Sequence, residues 1–298
     1  MLRLRCKAIC RVPSLHNIPL SVMRSKLFVP GSRPELFAKA VASGADALSF
    51  DLEDSVSMDR KEEARRAVSE FLHERALNQC QTVLVRVNGL ASGLLEADVK
   101  ALAGCGIDVI NVPKVESADD VRQALDVIPG DIKILANIET PKGLRLAAEI
   151  ATADARIAGL QLGFIDLFSQ CGIDSRETAA KYSIRLAVRL AAAEAGIAVF
   201  DSAFAEVKNL EGFRAEAEAA RSLGFSGKSC IHPTQVAIAN QVFAPSRREI
   251  ARAEEILVAM RERGQDVFLL DGQMIDKPIL ERARDVVRLA ESLKARAE

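Results

Sequence analysis

Glu139, in NIET, and Asp166, in LGFIDL, each follow an apolar run and precede a loop or helix, so carboxylates from neighbouring strands can point into one shallow cavity. Two oxygen donors invite a hard cation. Mg2+ keeps water or substrate oxygens in its remaining octahedral positions, whereas zinc would want histidine or thiolate nearby, and His16 and His73 fall off this edge. Taken singly, each carboxylate reads equally well as a helix cap or a salt-bridge partner. Arg86, in LVRVN, is flanked by valines, where a guanidinium needs an anion. Its planar fork suits a substrate carboxylate or, failing that, Glu53 or Asp54. The alternative is an ion pair internal to the fold, which brings little net stability. FDLED adds Asp51, Glu53 and Asp54. Glu53 and Asp54 are placed to hydrogen-bond metal-bound water or to hold Arg86, with a plain helix cap as the other reading of Asp54.

Weaker signals surround these. PGSRP at 30–34 joins a strand to a helix start, where backbone N–H groups favour phosphate; Arg33 adds charge, and Lys39 extends the basic lane or is simply solvated. His232, before Pro233, reads as a base or as a hydrogen-bonded loop histidine.

These residues need strands to carry them. Apolar strand-like runs recur as SKLFVP, DALSFDLED, TVLVRVN, DVINVPK, IKILANIE, AGLQLGFID, AVFDS and GKSCIHP, and most stop near a charged or polar residue: Glu53, Arg86, Lys114, Glu139, Asp166, Asp201 and His232. Helical periodicity fills the gaps at 34–43, 58–77, 92–103, 117–128, 142–151, 176–195, 211–223 and 233–241. Ser117 before Asp119 and Asp120 is an N-cap pattern, and Pro34 suits a first helical position. The alternation predicts a closed (β/α)8 TIM barrel whose charged run-ends converge on one mouth. An open doubly wound sheet competes, but no GxGxxG follows the first strand. The pattern predicts a lead-in at 1–23, disordered, a barrel at 24–244, and a C-terminal helical extension at 245–298 that is too small to bury a core of its own.

Composition bounds the chemistry. With 298 residues, 49% hydrophobic content, net charge -1, no Trp and one Tyr, the chain favours small molecules over base stacking and phosphate neutralisation, so no nucleic-acid partner is expected. No apolar stretch is long enough to span a bilayer, so no membrane partner is expected either. Six scattered cysteines without CxxC pairs read as reduced thiols in a cytoplasmic protein, without disulfides or zinc. The basic stretch holding Arg3, Arg5, Lys7 and Arg11 would place it in an organelle matrix if it is a transit peptide.

In order along the chain, KLFVPGSRPELFAKA, DLEDSV, LVRVNG, VPKVES, IETPKG, GKSCIHPTQV and GQMIDKP resemble the citrate lyase β-subunit-like, or malyl-CoA lyase-like, family, from about residue 24 to the C-terminus. The resemblance implies a Mg2+-dependent (β/α)8 barrel, commonly a homotrimer or hexamer, that breaks or forms a C–C bond between a 2-oxo acid and an acyl-CoA. It implies Glu139 and Asp166 as Mg2+ ligands and Arg86 as the holder of the substrate carboxylate. It further implies Phe28, Arg33, Lys39, Ile231 and His232 along the CoA path, and Asp276, in MIDKP, as an acid/base delivered by the extension, often onto a neighbouring subunit's site. Two positions depart from the pattern: Ile165 stands where many members have Glu before the metal Asp, and Glu206, Lys208 and Asn209 replace an acidic pair after strand seven.

Overall fold

The computed structural model describes residues 20–74, 81–130 and 132–296. Eight parallel strands close into a barrel in chain order: β1 (Ser25–Pro30), β2 (Ala47–Asp51), β3 (Thr82–Arg86), β4 (Val109–Val112), β5 (Lys133–Ile138), β6 (Ile157–Leu162), β7 (Ala198–Asp201) and β8 (Gly227–Cys230), with β8 pairing back to β1. The period of two sorts each strand. Alternate residues face the interior, and the others pack under the surrounding helices in the main apolar core.

The interior is layered. Its floor is apolar, built from Ala47, Leu84, Val109, Leu135, Ala198 and Phe200 with Leu20 and Met23 against them. Above lies a polar layer containing Lys26, Asn111, Asn137 and Gln161, each at most 4% exposed. Charged residues form the top. Residues 1–19 of the expected lead-in lie outside the described residues. Its last four belong to the fold, with a 3-10 turn at Leu20–Val22 and a fully buried Met23, because the barrel floor needs apolar side chains to fill it.

Residues 75–77 of the helix expected at 58–77 lie outside the described residues; the helices otherwise follow the expected periods with two differences. A helix at Phe164–Cys171 precedes Thr178–Glu194, where periodicity predicts only 176–195; eight residues span too few turns to reveal a period. The stretch 142–151 is split into Pro141–Arg145 and Ala147–Ala151. Ser117 caps its helix as expected, accepting from Asp120 N at 3.1 Å.

The extension differs from expectation as well. Its helices Arg247–Arg263 and Lys277–Ala295 and the hairpin of β9 (Phe268–Leu270) and β10 (Gln273–Ile275) do bury a small core, including Ala253, Ile256, Phe268, Ile275 and Leu280. Two amphipathic helices and a hairpin suffice because each covers another's apolar face. Ser246 and Glu249 form a capping box at its start. The last helix lies at the floor end of the barrel, where Arg296 pairs with Asp46 at 3.3 Å. Among the described residues no helix is long and apolar enough to cross a membrane.

Candidate active site at the barrel mouth

At the C-terminal strand ends lies a cavity of about 450 Å³, lined among others by Phe28, Arg86, Glu139, Gln161, Asp166 and Ile231. The structure therefore brings Glu139, Asp166 and Arg86 together, with Phe28 and Ile231 beside them. Glu139 is 2% exposed, and its carboxylate accepts from the backbone N–H of Lys114 at 2.8 Å and from Asn137 Nδ2 at 3.2 Å. Lys114 sits at a φ of 52°, a left-handed turn just past β4 that aims its N–H at Glu139. Gly163, at the end of β6, leaves room for the same carboxylate: a Cβ there would lie 2.5 Å from Glu139 Cβ. Asp166 stands half-buried in the first turn of the following helix.

The mouth carries surplus negative charge. Burial pushes the Glu139 carboxyl up to about 7; Arg86 opposes that, and Glu53 and Asp166 add to it. Burial likewise raises Glu53, against Arg86 and Lys114. Arg86 is held firmly ionised: burial disfavours its charge, but Asp51, Glu53 and Glu139 outweigh it. Its fork closes on Asp51, Nε to Oδ1 at 2.6 Å and Nη2 to Oδ2 at 2.7 Å, while Nη1 faces Glu53 at 3.0 Å and Asp54 at 3.6 Å. The sequence pointed to Glu53 or Asp54 as the protein partner; Asp51 takes the fork because it is the register partner of Arg86 across β2 and β3 and faces the same interior. Lys114 Nζ completes the group, 2.8 Å from Glu53 and 3.4 Å from Asp54.

A hard divalent cation fits these donors. Glu139 and Asp166 supply carboxylate oxygens to one cavity, and Glu139 is oriented by two N–H donors.

Other expected site residues lie elsewhere. Arg33 is exposed and paired with Glu35, and Lys39 is exposed on the helix Phe37–Val41. Within PGSRP the Gly31 and Arg33 amides are already used, donating to the carbonyls of Asp51 and Pro30. His232 caps the helix Pro233–Phe243, with Nδ1 2.8 Å from Thr234 Oγ1. Asp276 caps the last helix, accepting from Ile279 N at 3.3 Å, and does not line its own chain's cavity. Asp201, expected at the mouth, points away: it binds Arg185 and Lys228 between the strands and the outer helices, because its neighbour Phe200 takes the inward position. Ile165 is 60% exposed on the cavity wall, and Asn209 caps the helix Leu210–Ser222. Lys26, Asn137 and Gln161 are polar residues within apolar strand runs that the charged run-ends do not reveal; the signals in the sequence are the shared strand parity of Lys26 with Phe28 and of Asn137 with Glu139, while Gln161 has no such neighbour.

A closed parallel barrel that gathers carboxylates and a guanidinium at its C-terminal strand ends is the architecture of barrel enzymes. The family model described as HpcH/HpaI aldolase/citrate lyase matches residues 24–233, and the chain belongs to that family; it is an enzyme of the lyase type. It is 36% identical over 284 residues to the citrate lyase subunit beta of Leuconostoc mesenteroides subsp. cremoris, covering 90% of this chain and 93% of that one. It is 39% identical over 276 residues to a (3S)-malyl-CoA thioesterase of Cereibacter sphaeroides, covering 91% and 96%. The crystal structure of CitE from Mycobacterium tuberculosis in complex with magnesium, acetoacetate and coenzyme A matches with a TM-score of 0.74 at 32% identity, covering 90% of this chain and 97% of that one.

Proposed function

We propose that the protein is a Mg2+-dependent carbon–carbon lyase acting on a 3-hydroxy-3-carboxyacyl-CoA of the malyl-, methylmalyl-, citramalyl- or citryl-CoA type. The products are a 2-oxo acid and an acyl-CoA, and the reverse condensation uses the same site. The observation that carries this is the meeting of Glu139, Asp166 and Arg86 in one cavity sized for a small acid. The relative of known structure that binds magnesium, a keto acid and coenzyme A supports it.

Glu139 and Asp166 hold the cation, which when bound supplies Lewis-acid polarisation of the oxygens at the acid end. Arg86 grips the substrate carboxylate with its free N–H groups, kept in place by the Asp51 fork. Glu53 and Asp54 hold Arg86 and Lys114 and orient metal-bound water. In cleavage the hydroxyl passes its proton to water, its oxygen forms the carbonyl of the oxo acid as the bond between the hydroxyl carbon and the thioester α-carbon breaks, and that bond's electron pair passes to the α-carbon as a thioester enolate. Asp276 then protonates that carbon. Because Asp276 does not line its own chain's cavity, it is delivered by a neighbour in a homotrimer or hexamer. Phe28, Arg33, Lys39, Ile231 and His232 mark the path of the CoA, and the free thiols among the described residues, Cys105, Cys171 and Cys230, fit a cytoplasmic protein.

The test mixes the protein and Mg2+ with glyoxylate or pyruvate plus acetyl-CoA or propionyl-CoA and reads condensation products by mass spectrometry. At least one pair is expected to give product, lost with chelator; no product from any pair rejects the reading. A second reading, hydrolysis of the thioester, is favoured by the 39% identity to a (3S)-malyl-CoA thioesterase. Malyl-CoA would then yield malate and free CoA rather than glyoxylate and acetyl-CoA.

A further inference from the structure

Lys26 is 0% exposed inside the barrel, and among the described residues it pairs with no carboxylate. Its Nζ donates instead to two carboxamides across the interior, Asn111 Oδ1 on β4 at 3.1 Å and Gln161 Oε1 on β6. An N–H bonds only the oxygen end of an amide, so the two contacts that Lys26 donates turn both amide oxygens toward it. Asn111 turns its Nδ2 to Asn137 Oδ1 at 2.6 Å and to the Leu135 carbonyl at 3.0 Å, and Asn137 in turn donates to Glu139. Gln161 turns its nitrogen end away from Lys26, and among the described residues Nε2 donates to nothing. Gln161 lines the mouth cavity. Burial, then Arg86, push the Lys26 pKa well below the usual lysine range, while Asp51 and Glu139 resist. Charged or neutral, the amine keeps an N–H for each of the two amide oxygens it faces.

We infer that Gln161 is a substrate-binding residue whose Nε2 donates to a carboxylate oxygen of the oxo-acid end, and that Lys26 is the residue that positions it. The inference rests on the lyase reading and names a contact which that reading does not supply. Cavity size decides which end of the substrate is met: about 450 Å³ holds a small acid, whereas the bulk of a CoA must stay outside. Gln161, at 4% exposure, lines the cavity together with the buried Glu139, Asn137 and Asp51, on the side where the small acid is held. β6 lies three strands round the closed barrel from β3, so Gln161 and Arg86 face an acid from different walls of one cavity. The amide adds a neutral donor where the mouth is already crowded with charge.

The experiment is calorimetric titration of glyoxylate or pyruvate into the Mg2+-loaded full chain, for wild type, Gln161→Leu, Lys26→Met and the double variant. Loss of a hydrogen bond to a charged group should weaken oxo-acid binding about ten- to hundredfold in Gln161→Leu. Mn2+ binding without the acid, read by electron paramagnetic resonance, should stay unchanged in that variant. Lys26→Met should weaken acid binding by a smaller factor, and the double variant should bind no more weakly than Gln161→Leu, because Lys26 acts through Gln161. Wild-type affinity in Gln161→Leu overturns the contact, and a double-variant loss equal to the product of the single losses overturns the positioning role. Should Lys26→Met fail to fold, Gln161→Glu takes its place: an acceptor in place of the amide N–H should weaken binding more than leucine does, and unchanged affinity overturns the assigned direction. Wild-type protein that binds no oxo acid, with or without Mg2+, overturns the lyase reading itself, which separates the two failures.

Discussion

Asp201 and Glu139 are both nearly inaccessible carboxylates at barrel strand ends, yet one is held below the ordinary carboxylate range and the other is pushed up to about 7. Burial acts upward on both. At Asp201 it is overcome by Lys228 and Arg185: Arg185 lies at 2.8 Å and 3.0 Å from its two oxygens, and Lys228 Nζ lies at 2.5 Å. Glu216 balances those cations, 3.2 Å from Arg185, and the rings of Phe164 and Phe213 lie 5.0 Å from the Arg185 guanidinium and 5.5 Å from Lys228 Nζ. Lys181 pairs with Glu216 as well, so both carboxylates of this group are matched by cations, although Arg185 and Glu216 also line a cavity of about 420 Å³. At the mouth, Asp51, Glu53, Asp54, Glu139 and Asp166 have Arg86 and Lys114 as their ion-pair partners among the described residues, with Lys26 and Lys61 acting from further off, beside an open cavity. A balanced buried cluster holds the wall together; an unbalanced one beside a cavity is set to receive a cation.

The sharpest way to break this contrast is Asp201→Ala, which leaves Arg185 and Lys228 buried without their main partner. It should cost about 3–5 kcal/mol in denaturant unfolding, while the folded fraction binds divalent cation as tightly as wild type; weakened cation binding would show the two clusters are not separate. Next is pH. The folded Glu139 carboxyl titrates near 7 against an ordinary 4.5, so between those values the folded chain binds the extra proton. Stability in chelator should therefore fall as pH rises from about 5 through 7, by a total on the order of 3 kcal/mol, and then level off. Glu139→Gln should flatten that slope, as should saturating Mg2+ in the wild type. Smallest is Gly163→Ala, whose Cβ crowds Glu139. It should cost about 1–3 kcal/mol and weaken cation binding, whereas a loss of stability alone would detach Gly163 from the site.

The barrel was legible because strand and helix periods are local, and Glu139, Asp166 and Arg86 were legible because each interrupts or ends an apolar run. Facing was harder. Asp201 ends a strand just as Glu139 follows one, and only the placement of Phe200 on the interior floor turns Asp201 outward. Asp51 as the partner of Arg86 depends on the pairing register of β2 and β3, which no run of sequence displays. Lys26 and Gln161 are 135 positions apart and meet only because the barrel closes. Asp276 is a further case: in its own chain it caps the last helix and does not line the cavity, so no local signal ties it to the site.

The most direct test of the central claim is Mn2+ binding, followed by electron paramagnetic resonance, for wild type, Glu139→Gln and Asp166→Asn, each with and without an oxo acid. The account predicts one site per chain that tightens when the acid is added and is lost in either variant. Undiminished Mn2+ binding after either substitution would contradict it.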